Sequence, residues 1–441
     1  MVSAHIRFVL LFSTLVGRGV GETVNIVNTN YELSWVRNLT GLDHAGYAFI
    51  SDVLPGKLVL TQFGAAPFFG KSLVSLVDLA AESHAPLATN IDWPNEATIV
   101  DETVFGFKAV IVGAGFLVPS HTTGGIWVME ASEEPVHLTE PVKITKDMNK
   151  PFRPDSGWFY HKASLVDMNG DGLLDIVTSR AEFSVESWND KRGKFVWLEQ
   201  PKADALSGQP WAEHEIADGP DFIFSLKPAA AGLSSDGTQA TQIEACAAEF
   251  IAKRVQFISG SEATGYKSRV VDDQSGPGFG CMWSDLNGDG KLDIIATNHL
   301  NQNGSVYAYS WDGDLKDEAT QIHKHVLATG FSAATTSAGQ ASPGDAIPFF
   351  ISTKDHQGKP CIFVSGDNGN DIYILVPMAP TDPNDWTYAK QRLAFLGADV
   401  GRIAIADTDG DGYNELFIPA YDLGMLVHYK FGPKSFHTVV V

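Results

Sequence analysis

Cysteine is scarce in this chain of 441 residues. The three cysteines are Cys246, Cys281 and Cys361, and so small and odd a number excludes a disulfide framework, although one bridge can form. Basic residues are also few, with 31 against 53 acidic residues and a formal net charge of −22. Such an excess of negative charge argues against nucleic acid or an anionic membrane as a partner.

Long apolar runs are missing as well. No stretch beyond the N-terminal region approaches the roughly 18 apolar residues that a membrane-spanning helix requires, so we expect no membrane anchor. At the N-terminus, His5 and Arg7 precede a short apolar run, and small residues follow up to Gly21. This order predicts a secretory signal sequence over residues 1–21 and a protein that is secreted or resides in the secretory-pathway lumen.

The sequence has almost no 3.6-residue periodicity and no Pro/Ser-rich linker or charge run that would mark a domain boundary. A chain of this length usually divides into several domains. A repeat architecture explains how so long a chain can lack domain boundaries, because each unit packs only on its neighbours. We therefore predict an all-β repeat protein that forms one domain over residues 22–441.

One phrase occurs three times. It reads Asp167-Met-Asn-Gly-Asp-Gly-Leu-Leu-Asp175, then Asp285-Leu-Asn-Gly-Asp-Gly-Lys-Leu-Asp293, then Asp407-Thr-Asp-Gly-Asp-Gly-Tyr-Asn-Glu415. The copies start 118 and 122 residues apart, close to twice 60, so an unmarked repeat is expected between each pair. Each phrase follows a short apolar strand, and similar strands without it start near positions 47, 107, 222 and 348. Seven units of about 60 residues predict a seven-bladed β-propeller with four strands in each blade.

The repeated phrase after an apolar strand resembles the FG-GAP/VCBS repeat of integrin α-subunit propellers. The resemblance covers nearly the whole chain after the signal sequence, and its motif is strong in three blades. It implies that the three loops join the first and second strands of their blades on one face. It also implies that ligands bind the opposite face.

The chemistry of the loop predicts a calcium site. In the first copy, the side chains of Asp167, Asn169 and Asp171, the backbone carbonyl of Leu173 and the carboxylate of Asp175 supply only oxygen ligands, which suit Ca²⁺ better than Mg²⁺. The equivalent positions are Asp285, Asn287, Asp289, Lys291 and Asp293 in the second copy, and Asp407, Asp409, Asp411, Tyr413 and Glu415 in the third.

An EF-hand begins with a similar phrase but requires a glutamate at position twelve and flanking helices. The twelfth positions here are Thr178, Ala296 and Ile418, and the flanking segments are predicted strands, so an EF-hand is excluded. A shell saturated with oxygen ligands leaves no open position for catalysis. We therefore predict about three structural Ca²⁺ ions and no organic cofactor.

The face opposite the calcium loops carries the candidate functional residues. We predict His161, Arg180, His299 and Tyr421 as catalytic residues of a central funnel, and His44, Trp158 and Tyr160 as substrate-binding residues. Aromatic and titratable side chains on loops of a rigid scaffold are typical of a small-molecule site. Several of these residues have ordinary structural roles as alternatives: the aromatic residues pack between blades, and a lone histidine satisfies a backbone hydrogen bond.

The sequence contains no nucleophile elbow, zinc-binding histidine pair or phosphate-binding glycine loop, so three function classes stay open. Single-domain fungal propellers with a signal sequence include the hetero-Diels–Alderases of tropolone-sesquiterpenoid biosynthesis, which this chain resembles in overall layout. That resemblance implies a pericyclase acting on a small organic substrate. Similar propellers occur in aldos-2-ulose dehydratases, which implies a sugar dehydratase or polysaccharide lyase. The third class is a non-catalytic adhesion or carbohydrate-binding module.

Two covalent modifications are predicted. Asn38 and Asn303 each begin an Asn-X-Ser/Thr tripeptide and are predicted glycosylation sites. Cys246 is expected on an inner strand of the fourth blade and Cys281 at the start of the fifth. Since neighbouring blades bring their inner strands close together, these two cysteines are the predicted disulfide pair.

Overall fold

The computed structural model describes residues 23–63, 72–81, 83–89, 91, 93–115, 124–133, 136–146, 158–182, 193–219, 223–228, 242–337 and 339–435. The predicted signal sequence lies outside these residues. The described chain is built almost entirely of strands, with one short helix, α1 (Glu102–Phe105), and one 3-10 turn (Tyr421–Leu423). No helix in the described ranges is long and apolar enough to cross a membrane.

The strands form seven antiparallel sheets, which are the blades of a propeller. Blades 1 to 3 follow one another along the chain. Blade 1 contains β3 (Ala45–Ile50), β4 (Lys57–Gln62), β5 (Leu73–Asp78) and β6 (Ser83–Thr89). Blade 2 contains β7 (Pro94–Val100), β8 (Ala109–Ala114), β9 (Gly125–Glu133) and β10 (Val136–Leu138), and β11 (Val142–Lys143) pairs with β9. Blade 3 contains β12 (Trp158–Val166), β13 (Asp175–Glu182), β14 (Lys194–Glu199) and β15 (Ala212–Asp218).

Blades 4 to 6 repeat this order. Blade 4 contains β16 (Ile223–Leu226), β17 (Ile243–Glu249), β18 (Arg254–Ser261) and β19 (Gly265–Asp272). Blade 5 contains β20 (Gly278–Ser284), β21 (Asp293–Asn298), β22 (Gly304–Trp311) and β23 (Ile322–Phe331). Blade 6 contains β24 (Ala346–Phe349), β25 (Cys361–Ser365), β26 (Asp371–Pro377) and β27 (Tyr388–Phe395).

Blade 7 closes the ring with strands from both ends of the chain. Its inner strands are β28 (Ala404–Ala406), β29 (Glu415–Ala420) and β30 (Met425–Pro433). Its outer strands are β2 (Tyr31–Thr40), which pairs with β30, and β1 (Val24–Asn25), which pairs with β2. The prediction of an all-β propeller with seven four-stranded blades is therefore confirmed, and the closing role of β2 is a feature that the repeat analysis did not include.

Apolar side chains fill the interfaces between blades rather than one central core. The buried residues form seven clusters, and each cluster joins two neighbouring blades. The second strands are buried on both sides, as in β8, where all six residues are buried. Such strands have continuous apolar sequences because a neighbouring blade covers each face. This packing explains how a chain without linkers forms one unit.

One predicted blade boundary is wrong. The first strand of blade 2 is β7, which starts at Pro94, whereas the residues after Phe107 lead into the second strand, β8. The six residues of β8 are apolar and resemble an inner strand, while β7 carries Asn95 and Glu96 at its start. The other first strands begin within five residues of the predicted positions.

Candidate active site at the propeller axis

The first strands of neighbouring blades contact one another and surround the propeller axis. The three Asp-rich loops follow the first strands β12, β20 and β28 at one end of the axis. At the opposite end, the first strands begin and the second strands finish. His44, His299 and Tyr421 lie at that opposite end, immediately before β3 and after β21 and β29. We call this end of the propeller axis the axial site.

Four charged side chains from four blades meet at the axial site. Glu96 of β7 lies 3.0 Å from Arg402 and 3.7 Å from Lys162 of β12, measured between its Oε2 and the cationic nitrogens. Arg402 also lies 3.6 Å from Asp345 Oδ2. All four side chains are less than one-fifth exposed. Only the ring of blades brings these residues together, since they are distant in the sequence.

Burial and charge act against each other in this cluster. Burial opposes ionisation of Glu96, but the adjacent Arg402 and Lys162 cations outweigh it and lower the pKa of its carboxyl group. For Asp345, burial dominates and raises the pKa, although Arg402 partly offsets the effect. Burial likewise lowers the pKa of Lys162 despite the nearby Glu96. Carboxyl groups with pKa values shifted in opposite directions are typical of sites that exchange protons.

A histidine and an aspartic acid lie beside this cluster. His299 Nδ1 is 2.8 Å from the carbonyl oxygen of Pro343, and His299 Nε2 is 3.4 Å from Asp367 Oδ2. The imidazole stacks on Phe279 with 4.4 Å between ring centroids. Burial lowers the pKa of His299 to about 4, and burial together with the charges of Asp399 and Asp345 raises the pKa of Asp367 well above its ordinary value. Burial therefore favours the uncharged form of both groups, the neutral imidazole of His299 and the protonated carboxyl group of Asp367.

An aromatic wall at the axial site is formed by residues of blades 1 and 7 and by Trp93, which directly precedes β7 of blade 2. Phe63 stacks on Trp93 at 5.0 Å, and Tyr421 lies 5.9 Å from Phe63 and 4.9 Å from His44, all between ring centroids. Tyr47 contacts Phe63 at 5.4 Å. Burial and then the charges of Asp345 and Asp367 raise the pKa of the Tyr47 phenol, so its hydroxyl stays protonated. The wall therefore borders the charged cluster directly.

Three residues at the same end of the propeller axis have a strained backbone. His44, Trp93 and Asp367 have φ angles of 56°, 48° and 48°. Residues other than glycine rarely adopt positive φ, and such strain clusters at functional sites. These three residues hold the aromatic wall and the carboxyl group that faces His299.

Trp158, Tyr160 and Arg180 lie away from this cluster. The Arg180 guanidinium carbon is 3.8 Å from the Trp158 ring centroid, and its Nη2 donates to Glu213 Oε1 at 2.7 Å on the outer strand β15. Tyr160 is buried in the apolar cluster between blades 2 and 3. The contacts of these three side chains are thus within blade 3 and its interface. None of these contacts is with the axial charges, so they do not support the predicted roles of the three residues in the funnel.

His161 lies closer to the axis. It is 2 % exposed, and the charges of Glu96, Arg402 and Lys162 act on its imidazole. Burial lowers the pKa of its imidazole to about 4, so it is neutral beside the charged cluster. Of the predicted catalytic residues, His161 and His299 are therefore the two that adjoin buried ionisable groups at the axis, whereas Tyr421 belongs to the aromatic wall.

Sequence reasoning missed the groups with the most unusual environments. These are Tyr47, Glu96, Lys162, Asp345, Asp367 and Arg402. Their positions in the sequence could have indicated them. Most of them lie at or next to the start of a first strand, where an apolar side chain is otherwise expected. The misplaced start of blade 2 concealed Glu96, since its segment was not recognised as an inner strand.

The three Asp-rich loops have a common internal geometry. The first aspartate of each loop accepts a hydrogen bond from the backbone N–H three residues later, at Gly170, Gly288 and Gly410, over 2.7–2.8 Å. In the third loop, oxygens of Asp407, Asp409 and Asp411 all lie within 4.8 Å of one another, an arrangement of carboxylates found at no other place in the described ranges. These donors are all oxygen atoms, so the residues fit a hard cation such as Ca²⁺.

The remaining predicted modification sites are also placed. Cys246 and Cys281 are joined by a disulfide with an S–S distance of 2.01 Å, and Cys361 is free and buried. Asn303 is exposed in the turn before β22. Asn38 is half-buried on β2, and its Oδ1 accepts a hydrogen bond from Trp35 Nε1. Asn303 is therefore the more accessible of the two predicted glycosylation sites.

No family model matches the chain, and no curated protein does either. Among solved structures, the β-propeller domain of Vanderwaltozyma polyspora Nup133 matches with a TM-score of 0.50 and 9% identity, over 93% of this chain and 99% of that domain. The periplasmic gluconolactonase PpgL of Pseudomonas aeruginosa has 13% identity and a TM-score of 0.45, with coverage of 85% and 88%. An α-L-arabinanase of Penicillium chrysogenum has 10% identity and a TM-score of 0.40, with coverage of 91% and 98%. At such low identity the Nup133 match supports the propeller fold and leaves the activity open.

Proposed function

We propose that the protein is an enzyme that binds a small hydroxylated substrate at the axial site and eliminates water from it by proton transfer. This is the dehydratase or lyase class. The observation that carries the proposal is the His299–Asp367 pair, in which an imidazole with a lowered pKa and a carboxyl group with a raised pKa lie 3.4 Å apart beside a buried charged cluster.

The hydrogen bonds of His299 determine the role of each ring nitrogen. Nδ1 lies 2.8 Å from a carbonyl oxygen, which can only accept, so Nδ1 carries the proton. Nε2 therefore presents its lone pair toward Asp367. A neutral histidine with this tautomer is a base at Nε2.

The two groups suffice for a balanced elimination. His299 Nε2 takes a proton from a carbon next to a carbonyl group, and the electron pair forms the new C=C bond as the hydroxyl group leaves from the neighbouring carbon. Asp367 gives its proton to that hydroxyl group, which departs as water. The proton on His299 Nε2 then returns to the Asp367 carboxylate, and both groups regain their starting states.

The charged cluster supplies the electrostatic part of the reaction. Negative charge develops on the substrate carbonyl oxygen as the proton is removed, and fixed positive charge stabilises it. Arg402 and Lys162 bring two cations to the axial site. Glu96 holds both in place and keeps the site close to neutral before the substrate binds.

The test uses a panel of aldos-2-uloses and ketoses as probes. Turnover is followed by the ultraviolet absorbance of the unsaturated ketone and by uptake of solvent deuterium into recovered substrate. We expect His299→Ala and Asp367→Asn to lose turnover by about 10²–10⁴-fold, with melting temperatures that show them folded. His325→Ala is the matched control, because His325 stacks on Trp386 outside the axial site. Full turnover in both variants would contradict the proposal.

A pericyclase is the second candidate, and the aromatic wall favours it. Stacked rings at Phe63 and Trp93 with the phenols of Tyr47 and Tyr421 beside them suit an apolar, conjugated substrate. A cycloaddition requires orientation and hydrogen-bond donors rather than a base. It predicts turnover of a diene with a carbonyl-containing heterodiene, no deuterium uptake, and greater sensitivity to Trp93→Ala than to His299→Ala. Sugar binding that is lost in His299→Ala, without any turnover in the wild type, would instead identify an adhesion or carbohydrate-binding module.

We also propose that the protein is secreted, that the three Asp-rich loops hold structural Ca²⁺ and that Asn303 carries a glycan. The internal geometry that the three loops share supports the calcium sites, and the exposure of Asn303 supports the glycan. When bound, Ca²⁺ neutralises carboxylates that otherwise repel one another. The loops lie at the opposite end of the propeller axis from the axial site. The ion therefore has a stabilising role and takes no part in the elimination.

A further inference from the structure

A cavity lies far from the axial site, between blades 4 and 5 on the side of the Asp-rich loops. Its volume is about 230 Å³. Its lining includes two aromatic and four charged side chains, which are Trp283, Trp311, Lys227, Glu244, Asp314 and Lys316. Because clefts for drug-sized ligands span roughly 300–1,000 Å³, this cavity suits a single ring.

Two lysines share one carboxylate across the cavity. Lys227 Nζ lies 2.6 Å from Glu244 Oε2, and Lys316 Nζ lies 2.5 Å from Glu244 Oε1. Glu244 is held in the interface, with its side chain 16% exposed. An ammonium group has three N–H donors, so each lysine keeps further donors after binding Glu244. The two lysines are therefore fixed in position and still able to bind hydroxyl oxygens.

Two indole rings form the apolar part of the lining. Trp283 and Trp311 are perpendicular, with 6.0 Å between ring centroids. Trp283 is buried and its Nε1 donates to the carbonyl oxygen of Ser225 over 2.9 Å, so its position is fixed. Trp311, on the last residue of β22, is half-buried and presents its ring to the cavity. The cavity thus has a mainly polar lining, to which the two indole rings add a small apolar part.

The loop that carries Asp314 and Lys316 is rigid. The guanidinium of Arg269 donates to the carbonyl oxygens of Leu315, Asp317, Glu318 and Thr320 over 2.6–3.3 Å. Within the loop, the backbone N–H of Lys316 donates to Asp314 Oδ1 at 2.9 Å. A preorganised loop loses little conformational entropy when a ligand binds, which favours affinity.

We infer that this cavity binds a neutral pyranose ring, free or at the end of a glycan. A pyranose has an apolar C–H face that packs on an indole ring, and hydroxyl groups that accept from ammonium groups and donate to carboxylates. The two lysine charges are balanced by Glu244 and Asp314, so the lining as a whole is neutral. A neutral lining with alternating donors and acceptors matches a sugar better than a carboxylate or a phosphate.

The test is saturation-transfer NMR with methyl β-D-glucopyranoside, methyl β-D-galactopyranoside and methyl α-D-mannopyranoside, followed by calorimetric titration. We expect saturation of the ring C–H protons of at least one glycoside by the wild-type protein. Trp311→Ala should weaken binding about tenfold or more, and Lys316→Met should weaken it as an independent variant if Trp311→Ala folds poorly. Trp35→Ala is the matched control, because Trp35 is an exposed tryptophan on β2 of blade 7.

Three results would overturn the inference. These are the absence of transfer to all three glycosides, unchanged binding in both cavity variants, and binding of methyl β-D-glucuronide with none of the neutral glycosides. His299→Ala separates the two sites, since it should leave glycoside binding in this cavity unchanged. A failure of the proposed elimination would therefore not be confused with a failure of the sugar site.

Discussion

Arg402 is the residue on which the charged cluster of the axial site depends. It contacts Glu96 at 3.0 Å and Asp345 at 3.6 Å, and its side chain is 17% exposed. Buried ion pairs contribute little net stability compared with apolar residues, because removing charges from water offsets their attraction. Loss of one partner is different, because it leaves a buried charge without compensation.

We predict that Arg402→Met lowers the free energy of unfolding by about 3–5 kcal/mol. Adding Glu96→Gln should restore part of the loss, because the uncompensated carboxylate is then absent. Arg392→Met is the matched control: Arg392 is 61% exposed and lies 3.5 Å from Asp371, so its loss should change stability by less than about 1 kcal/mol. Urea denaturation measures all three. Equal effects of Arg402→Met and Arg392→Met would contradict the prediction.

His161 and His299 should make the fold sensitive to acid. Burial lowers the pKa of both to about 4, whereas an unfolded histidine titrates near 6.5. The unfolded chain therefore binds protons at these histidines below about pH 6.5, whereas the native state binds them only near pH 4. The free energy of unfolding decreases as the pH falls through this interval. At the acidic limit, each histidine lowers the free energy of unfolding by on the order of 3 kcal/mol.

Unfolding free energies measured from pH 7 to pH 4.5 check this point. His161→Phe and His299→Gln should each flatten the pH dependence. The half-buried His323 on the outer strand β23 is the control site, and His323→Gln should change the slope less than either variant. A wild-type protein whose stability rises on acidification across this interval would rule the explanation out.

At the scale of single elements, the strands follow a consistent rule. Middle strands such as β8 are apolar throughout because neighbouring blades cover both faces, whereas outer strands such as β19 are half-buried or exposed along their length. First strands mix both types, since their starts reach the axial site and their remaining residues pack between blades. This mixture explains why β7 was not recognised from its sequence.

The Asp-rich loops should require calcium. Carboxylate oxygens of Asp407, Asp409 and Asp411 lie within 4.8 Å of one another. Lys430 contacts Asp409 and Asp411, but its single charge offsets only part of the repulsion among three carboxylates. We predict that chelation lowers the melting temperature markedly. Metal analysis should find about three Ca²⁺ per chain in the wild type and one fewer in Asp289→Ala, whereas Asp312→Ala, at an exposed aspartate outside the loops, should keep all of them. Identical melting curves with and without chelator would refute a structural role.

At the scale of the whole molecule, stability depends on closing a ring. Seven apolar clusters each join two blades, and β2 pairs with β30 so that the two ends of the chain meet in blade 7. The disulfide between Cys246 and Cys281 adds a covalent link between blades 4 and 5. Every interface thus contributes to the same cooperative unit.

We predict that Cys246→Ser with Cys281→Ser lowers stability by about 4 kcal/mol, because the disulfide closes a loop over a sequence separation of 35 residues. Reduction of the wild type should have a similar effect. Cys361→Ala is the control, since this cysteine is free and buried. In this variant the oxidised sample should still melt at a clearly higher temperature than the reduced sample. Thiol counting in denaturant should find one free thiol in the wild type, and three would contradict the pairing.

The sequence by itself determined the β-propeller and the number of its blades. It did so because the Asp-rich phrase repeats at twice the blade period, and because strands covered on both sides have continuous apolar sequences. It also placed the Asp-rich loops between first and second strands. These properties depend on residues close together in the chain.

The axial site was decided only by the tertiary structure. Glu96, Lys162, Asp345 and Arg402 come from four blades, and no local pattern indicates that their side chains meet. The same holds for the shifted pKa values of His299 and Asp367, which arise mainly from burial, with the charges of Asp399 and Asp345 adding to the shift of Asp367. Ring closure creates these environments, because it brings the starts of distant first strands to one axis and removes them from water.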